Sequence, residues 1–201
     1  GGGSGGSVQL RASGVLAVDS SAEISADGGA GGNGAGAGSG GRVAVFASSL
    51  LVASTGLSHR AVLGVISARG GDSSTRSGSA GTMYVEVAES ERYLAISNGG
   101  VASKTNILTS YPSELDGLEL KEFYISESAH VHVESSLDVH APSILVLGEA
   151  TLLTSAGASL SLTANHVNVT AGLISCTGTG GTVVVNSTGD PLVVVGEITA
   201  S

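Results

Sequence analysis

The chain has 201 residues, of which 41% are apolar, 3% aromatic and 12% charged, and its formal net charge is −9. Its eight Lys and Arg residues are scattered, which argues against nucleic acid and anionic membranes as partners, because both need clustered basic side chains. No apolar run is long enough to predict a membrane span, and the single cysteine cannot form an intrachain disulfide. The charged share is about half that of an average soluble domain, as is typical of extracellular β proteins and fibres.

Two short motifs recur along the chain. In the first, small and polar residues lead into apolar residues spaced two apart, which predicts the start of a strand; copies begin at Gly5, Gly40, Ala80 and Gly180. In the second, Ile-Ser leads into a turn; copies begin at Ile24, Ile66, Ile96 and, more loosely, Ile174. Recurrence at intervals of tens of residues is the signature of a solenoid.

Residues 7–27 predict one coil of a three-sided parallel β-helix, because three short runs of alternating apolar residues are separated by Ser13-Gly14 and by 19–21. The stretch 28–41 is nearly all small residues, and we expect it to be a loop thrown out from a corner between coils. A second coil is predicted over 42–68, with a connection at 58–60. A second polar loop, 72–79, is expected at the same corner.

The third coil is predicted over 82–98; within it, 86–92 suits a turn of helix, although the alternation around it favours strand. Residues 100–117 read as irregular, and for 113–125 a strand is preferred over a capped helix. From 118 onward the pattern predicts compact coils with short strands at 118–125, 129–133, 137–139, 144–147, 150–154, 159–164, 166–170, 173–176, 182–186, 192–195 and 197–200.

Three of these strands return after 23 to 25 residues, which predicts the coil length: Leu160 to Val183, Val167 to Leu192, and Leu173 to Ile198. An antiparallel sandwich or jelly roll is the competing architecture, because the strands are short and separated by turns. The dipeptides that favour hairpins, Asn-Gly and Asp-Gly, are sparse, which weighs against it.

The histidines are the first candidates for chemistry. His130 and His132 share a strand face with Glu134, and Asp138 shares a face of the next strand with His140, so these side chains are candidate ligands for a divalent metal. Residues at i, i+2 and i+4 of a strand spread over about 13 Å, too far for one ion, so no metal site is predicted. Cys176 occupies the position filled by Ala in the related motifs, which predicts a small buried residue and not a nucleophile.

Carbohydrate chemistry is the other candidate. Acids for polysaccharide cleavage are present, with a lysine among them: Glu86, Glu89, Glu91, Glu119, Lys121 and Glu122. Aromatic platforms for sugar rings are few, and the candidates for a binding platform are Tyr84, Tyr93 and Tyr124, with Tyr111 a fourth; Phe46 and Phe123 are expected in the core. The pattern predicts no catalytic residue and no cofactor.

Two further features concern the surface. Ten of the seventeen acids lie between Glu86 and Asp138, which indicates a solvated acidic face, with a cation-binding face as the alternative. Two sequons, at Asn168 and Asn186, are candidate glycosylation sites; Asn168 is expected to point outward from its strand and Asn186 to end its strand, so both are expected to be accessible.

The motifs Gly-Gly-Ser-Val-x-Leu-x-Ala at 5–12, Ile-Ser-Ala-x-Gly-Gly at 24–29 and Gly-Gly-Arg-Val-Ala-Val at 40–45 resemble a known class of repeat. This class is the Gly-rich β-helix repeats of giant secreted surface and fibre proteins of protists, algae and oomycetes, such as mastigoneme shafts and adhesin-like proteins. The resemblance covers 1–100 well and 159–201 loosely, whereas 101–158 departs from it. It implies a glycosylated extracellular filament without catalytic residues.

The sequence thus predicts an all-β chain, 1–201, forming one segment of a longer right-handed, three-sided parallel β-helix with Gly/Ser-rich loops at one corner. Its expected role is structural, in an extracellular or cell-surface assembly of copies of itself or of other subunits, with glycans as further partners. The alternatives are an adhesin or carbohydrate-binding stalk and, third, a pectin-lyase-like enzyme.

Overall fold

The fold is that of a computed structural model, which describes residues 1–52, 62–101, 108–111, 117–177, 179–189 and 192–200, with Val52 described for its backbone alone. Apart from Val62 and Leu63, which are helical, the regular structure of the described residues is all-β. Their strands are β1 Ser7–Val18, β2 Ile24–Ser25, β3 Arg42–Val52, β4 Ile66–Ser67, β5 Thr82–Val87, β6 Glu91–Ser97, β7 Thr109–Ser110, β8 Glu122–Ser126, β9 His130–Val133, β10 Leu137–His140, β11 Ser143–Leu147, β12 Thr151–Thr154, β13 Ser159–Ala164, β14 His166–Cys176, β15 Thr182–Ser187 and β16 Val193–Ala200. The connection predicted at 58–60 and the choice between cap and strand at 113–116 fall outside these residues.

Strand pairing among the described residues is parallel everywhere except between β5 and β6. The main sheet runs β1-β3-β5-β6-β8-β11-β14-β12-β9-β7, with β16 also on β14; β10-β13-β15 and β2-β4 form two smaller sheets. This mostly parallel arrangement is compatible with a β-solenoid and excludes the antiparallel sandwich considered from the sequence.

The spacing of paired residues confirms two of the three predicted intervals. Leu160 pairs with Val183 as expected, and Asn168 pairs with Val193, which keeps the 25-residue interval predicted for its neighbour. Leu173, however, pairs with Glu197, one residue before the predicted partner. The register shifts between Thr170 and Leu173, because one extra residue is accommodated there as a bulge.

The Gly-rich segment 28–41 contains no strand, as predicted for a loop between coils, but it is packed into a layer with its neighbours. The Gly29 amide donates to the Gly3 carbonyl at 2.8 Å, the Gly38 amide to the Gly29 carbonyl at 2.9 Å, and the Gly71 amide to the Gly38 carbonyl at 2.9 Å. Backbones can approach this closely only where no Cβ intervenes. The second polar loop, 72–79, joins the same layer, because the Gly78 amide donates to the Gly71 carbonyl at 2.9 Å.

The turn predicted at residues 13–14 is part of a strand and does not end it. Ser13-Gly14 lies inside β1, where the pairing with β3 shifts register between Ala12 and Val15, so this dipeptide forms a bulge and the chain continues in one strand.

The direction of the strands reverses once, at residues 88–90. Ala88 and Glu89 adopt left-handed backbone angles, φ 52° and 59°, and join β5 to β6 as an antiparallel hairpin. The helical turn considered for 86–92 is therefore a hairpin turn.

The hydrophobic core changes sides of the main sheet at the same place. Val85 and Tyr93 are cross-strand partners and pack into a first core with β1 to β4. Leu94 and Ile96 point to the other face of β6 and pack with Phe123 into a second core formed by β8 to β14. Strand β6 is consequently buried on both faces over residues 93–96.

Candidate binding groove at the junction of the two cores

The change of face leaves a groove of about 720 Å³ between the two halves of the chain. One wall is the outer face of β6, β8 and β11, and the other is the segment 63–69 with 21–23. Met83 and Ala95 line its base, where the sheet passes from one core to the other. A volume of this size lies within the range of ordinary small-molecule sites.

Strand β8 presents three side chains to the groove, because its alternate residues face opposite ways. Phe123 and Ile125 enter the second core, whereas Glu122, Tyr124 and Ser126 line the groove. Glu122 is 6% exposed and Ser126 2% exposed, and Tyr124 is half-buried. Leu145 and Leu147 of β11 extend this wall with apolar surface.

Two hydroxyl groups on this wall lack partners. The Ser126 Oγ is buried and makes no hydrogen bond, and the Tyr124 hydroxyl makes none with any residue that the structure describes. A buried hydroxyl without a partner costs free energy, so a ligand that supplies one would recover it. Ser97, which pairs with Ser126 across the strands, instead donates to the Glu127 carboxylate at 2.5 Å.

The opposite wall is held in place by an ion pair. Asp27 accepts hydrogen bonds from the Ser67 hydroxyl at 2.5 Å, the Arg69 amide at 2.9 Å and the Arg69 Nε at 2.7 Å. Burial alone would raise the pKa of Asp27, but these hydrogen bonds and the Arg69 charge hold it below its usual value. Arg69 is thus neutralised, and the carboxylates of Glu23, Glu122 and Glu127 make the groove acidic.

The structure separates the three tyrosines predicted as a platform. Tyr124 lines the groove; Tyr93 lies on the same sheet face but is buried in the first core, with its hydroxyl 3.4 Å from Glu91. Burial, followed by the nearby Glu91 charge, raises the pKa of Tyr93 to about 12. Tyr84 is on the opposite face of the sheet.

Tyr84 belongs to a cluster on that opposite face. Its hydroxyl donates to the Glu86 carboxylate at 2.7 Å, and Arg92 Nε donates to the same oxygen at 3.1 Å. Burial and Glu86 raise the pKa of Tyr84, and the Tyr84 hydrogen bond holds the pKa of Glu86 below its usual value. Phe46, expected in the core, packs here against Tyr84 with ring centroids 5.8 Å apart and lies under the Arg11 guanidinium at 4.0 Å.

Among the acids considered for polysaccharide cleavage, Glu91 and Glu122 both lie close enough to the Tyr93 hydroxyl for their charges to raise its pKa, whereas Glu86 does not share their face of the sheet. Glu86 is on the face opposite Glu122, because Glu86 pairs with Arg92 and Glu122 with Tyr93. Only Glu122 of that set lines the groove.

The histidines face outward, as their buried neighbours Val131 and Val133 require. His130 Nδ1 is 2.7 Å from the Thr151 hydroxyl, His132 Nε2 is 3.1 Å from the Ser155 hydroxyl, and His140 Nε2 is 3.1 Å from Asp138. Within the described part of the chain, no three His, Cys, Asp or Glu residues are grouped to hold a metal ion.

Cys176 is fully buried in the second core, with its thiol 3.1 Å from the Thr182 carbonyl. Ala26 and Ala68, which occupy the equivalent motif position, are buried in the first core, so the three residues do not share one column.

The two sequons differ in accessibility. Asn168 is half-buried in the middle of β14 and accepts a hydrogen bond from the Thr170 hydroxyl at 2.6 Å. Asn186 is exposed on β15, which among the described strands pairs with β13 alone.

Comparisons with known proteins add no relative: no protein-family model, curated protein or solved structure matches this chain. Among the described residues, no helix has the length and apolar character needed to cross a membrane.

The sequence contains a pattern that indicates this groove, although the alternation of apolar and polar residues by itself does not reveal it. Residues 93–96 are four apolar residues in succession, which is typical of a strand buried on both faces. When such a strand lies between two strands that are each buried on one face, the sheet separates two cores. A groove forms at the edge of the boundary between these cores.

Proposed function

We propose that this chain is a segment of a right-handed, three-sided parallel β-helix that serves as a non-catalytic scaffold in an extracellular filament or cell-surface assembly. The observation that carries the proposal is the long ladder of parallel strands, from β8 through β11 and β14 to β16. The backbone of each strand in such a ladder offers hydrogen-bonding groups to the next strand, so further coils add by the same backbone pairing. This geometry is what supports the proposed mechanical role.

The hairpin at 88–90 is compatible with one continuous winding. The hand of a solenoid depends on the strand direction, the order of the coils and the side on which the core lies. Between β5 and β6 the strand direction reverses and the core changes face, while the order along the sheet continues. The two changes cancel, so both halves wind with the same hand, and a right hand is the rule for parallel crossovers.

The strands at both ends of the ladders are open to further pairing. β1 pairs with β3 alone, and β15 with β13 alone, among the described strands. The outward side chains near the second end include large apolar ones, with Val184 54% and Val195 69% exposed. In the proposed assembly these edges pair with further coils, of the same or of a neighbouring chain.

The assembly is tested by electron microscopy and sedimentation velocity of the purified chain over a range of concentrations. We expect ordered linear particles whose length increases with concentration. The Val184→Lys variant places a charge on the open β15 edge and should shift the protein to monomers. Thr163→Lys is the matched control, because Thr163 is an outward residue of β13, which is already paired on both sides. Monodisperse monomers at every concentration would contradict the proposal.

Extracellular placement gives a separate test. When the chain is directed into the secretory pathway of eukaryotic cells, we expect a glycan on Asn186, which is exposed, and the Asn186→Gln variant should lose that mass. Unmodified Asn186 in the secreted protein would count against a glycosylated filament.

A further inference from the structure

We propose that the junction groove binds a neutral saccharide, with Tyr124 as the platform for a sugar ring and Glu122 and Ser126 as hydrogen-bonding groups on either side of it. This site is independent of filament formation, since it lies at the junction of the cores and involves neither β1 nor β15.

The arrangement along β8 carries the inference. Glu122, Tyr124 and Ser126 alternate with the core residues of one strand, so they form a row of about 13 Å with an aromatic ring at its centre. A sugar presents an apolar face of C–H groups and a rim of hydroxyls. The Tyr124 ring suits the apolar face, and hydroxyl and carboxylate groups beside it suit the rim.

Unpaired polar groups in the groove point to a hydroxyl-rich ligand. The buried Ser126 Oγ and the Tyr124 hydroxyl each donate and accept, and neither has a partner among the described residues. A ligand hydroxyl can satisfy either group in either direction, whereas an aliphatic ligand would leave both without partners.

The charges in the groove select against anionic ligands. Glu23, Glu122 and Glu127 line it, and the single arginine of the lining, Arg69, is neutralised by Asp27 at 2.7 Å. A carboxylated or sulfated polysaccharide would be repelled. Carboxylates that accept hydrogen bonds from sugar hydroxyls favour a neutral saccharide.

An extended peptide is the competing occupant, because β4 has one edge on the groove. That edge is only two residues long, Ile66–Ser67. It offers too little backbone to hold a peptide strand, and for this reason the saccharide is favoured.

The test is binding of cellohexaose, xylohexaose and mannohexaose to the full chain by isothermal titration calorimetry, with galacturonate hexamer and an unrelated decapeptide as comparison ligands. We expect one neutral hexasaccharide to bind and the galacturonate hexamer not to bind. Tyr124→Ala should weaken that binding at least tenfold, while Tyr84→Ala, the matched tyrosine on the opposite face, should leave it unchanged.

Ser126→Ala separates binding from folding. It removes a buried hydroxyl without a partner, so the unfolding midpoint should stay the same or rise, while saccharide affinity falls about fivefold. Thr154→Val is the matched control, because the Thr154 hydroxyl is also buried without a partner but lies in the second core, away from the groove. It should not alter saccharide affinity.

The proposal is overturned if none of the three neutral hexasaccharides binds, if the decapeptide or the galacturonate hexamer binds in their place, or if binding survives Tyr124→Ala at full strength. Because Tyr124 packs partly against the first core, the Tyr124→Phe variant is measured as well; it retains the ring and should lose only the contribution of the hydroxyl.

Discussion

At the scale of single residues, the glycines of the packed layer are defined by what surrounds them. A Cβ at Gly38 would lie 1.9 Å from the Gly3 carbonyl oxygen, whereas a Cβ at Gly32 would meet nothing within 4 Å. Neither glycine has a positive φ that would itself strain an alanine. The two positions therefore test close packing without the strain of a positive φ at either one.

We expect Gly38→Ala to lower the free energy of unfolding by about 3 kcal/mol, the upper end of the range for overpacking, because backbone atoms cannot move aside as a side chain can. Gly32→Ala should be neutral or slightly stabilising, since it restricts only the unfolded chain. Urea denaturation of both variants measures the difference. Equal effects of the two substitutions would show that the segment is not closely packed at Gly38.

The environment of His130 predicts a dependence of stability on pH. Burial lowers the pKa of His130 from its ordinary value of 6.5, and the nearby Glu149 only partly opposes this. Below pH 6.5 the unfolded chain takes up a proton that the folded chain resists, so stability falls as the pH drops from 6.5 through the folded pKa.

Urea unfolding at pH 7.5 and at pH 5.5 measures this loss in the native chain and in His130→Gln. The variant removes the titrating group and should lose less stability between the two pH values than the native chain does. An identical loss in both proteins would assign the pH dependence to other groups.

At the scale of elements, the second half of the chain could be predicted closely from its sequence. The strand 159–164 was predicted with its observed bounds, and the inward positions of Val131 and Val133 were predicted correctly. The reason is physical: one side of each short strand is buried, so alternation fixes both the strand and its face. The strand predicted at 118–125 is observed at Glu122–Ser126, so Leu118 and Leu120 lie before its first residue.

The reversal at 88–90 could not be predicted in the same way, because its turn lacks the usual residues. Hairpin turns with two left-handed residues favour Asn-Gly, whereas this chain has Ala88 and Glu89 there. Pairing of β5 with β6 and burial of both faces of β6 evidently outweigh the local preference. The turn therefore holds strain that a suitable substitution can relieve.

Glu89→Gly should relieve this strain, because a left-handed conformation costs an L-residue about 1 kcal/mol and costs glycine nothing. The hydrogen bond from Arg92 Nη2 to the residue 89 carbonyl, at 2.7 Å, does not depend on the side chain. Ser90→Gly is the control, since Ser90 is exposed in the same turn with an ordinary φ. We expect the Glu89→Gly protein to be about 1 kcal/mol more stable than the Ser90→Gly protein, and the reverse order would be evidence against the strained turn.

At the scale of the whole molecule, the two cores and the groove between them were not predicted. The copies of the two repeated motifs were correctly predicted to form strands. Which side of the sheet faces the core, however, depends on how strands that are distant in the sequence pack together. Tyr124 was singled out as a candidate platform from its residue type alone. Its place on the groove wall depends on the change of face at β6, which alternation within one strand does not encode.

The two cores share strand β6 but are packed separately, and this predicts which parts of the molecule unfold together. In the proposed solenoid each coil contacts only its neighbours, so local losses of stability spread a short distance along the axis. Leu50 is buried in the first core and Leu160 in the second. Replacing either with Ala should cost about 2 to 5 kcal/mol in its own half.

Hydrogen exchange followed by mass spectrometry distinguishes local from global opening. Leu50→Ala should speed amide exchange in β1, β3 and β5 and leave β10, β13 and β15 protected, whereas Leu160→Ala should do the opposite. Strand β6 should respond to both substitutions, because Tyr93 packs in the first core and Leu94 in the second. Equal acceleration throughout the chain in either variant would mean that the two cores unfold as one unit, and the groove would then lie within a single cooperative structure.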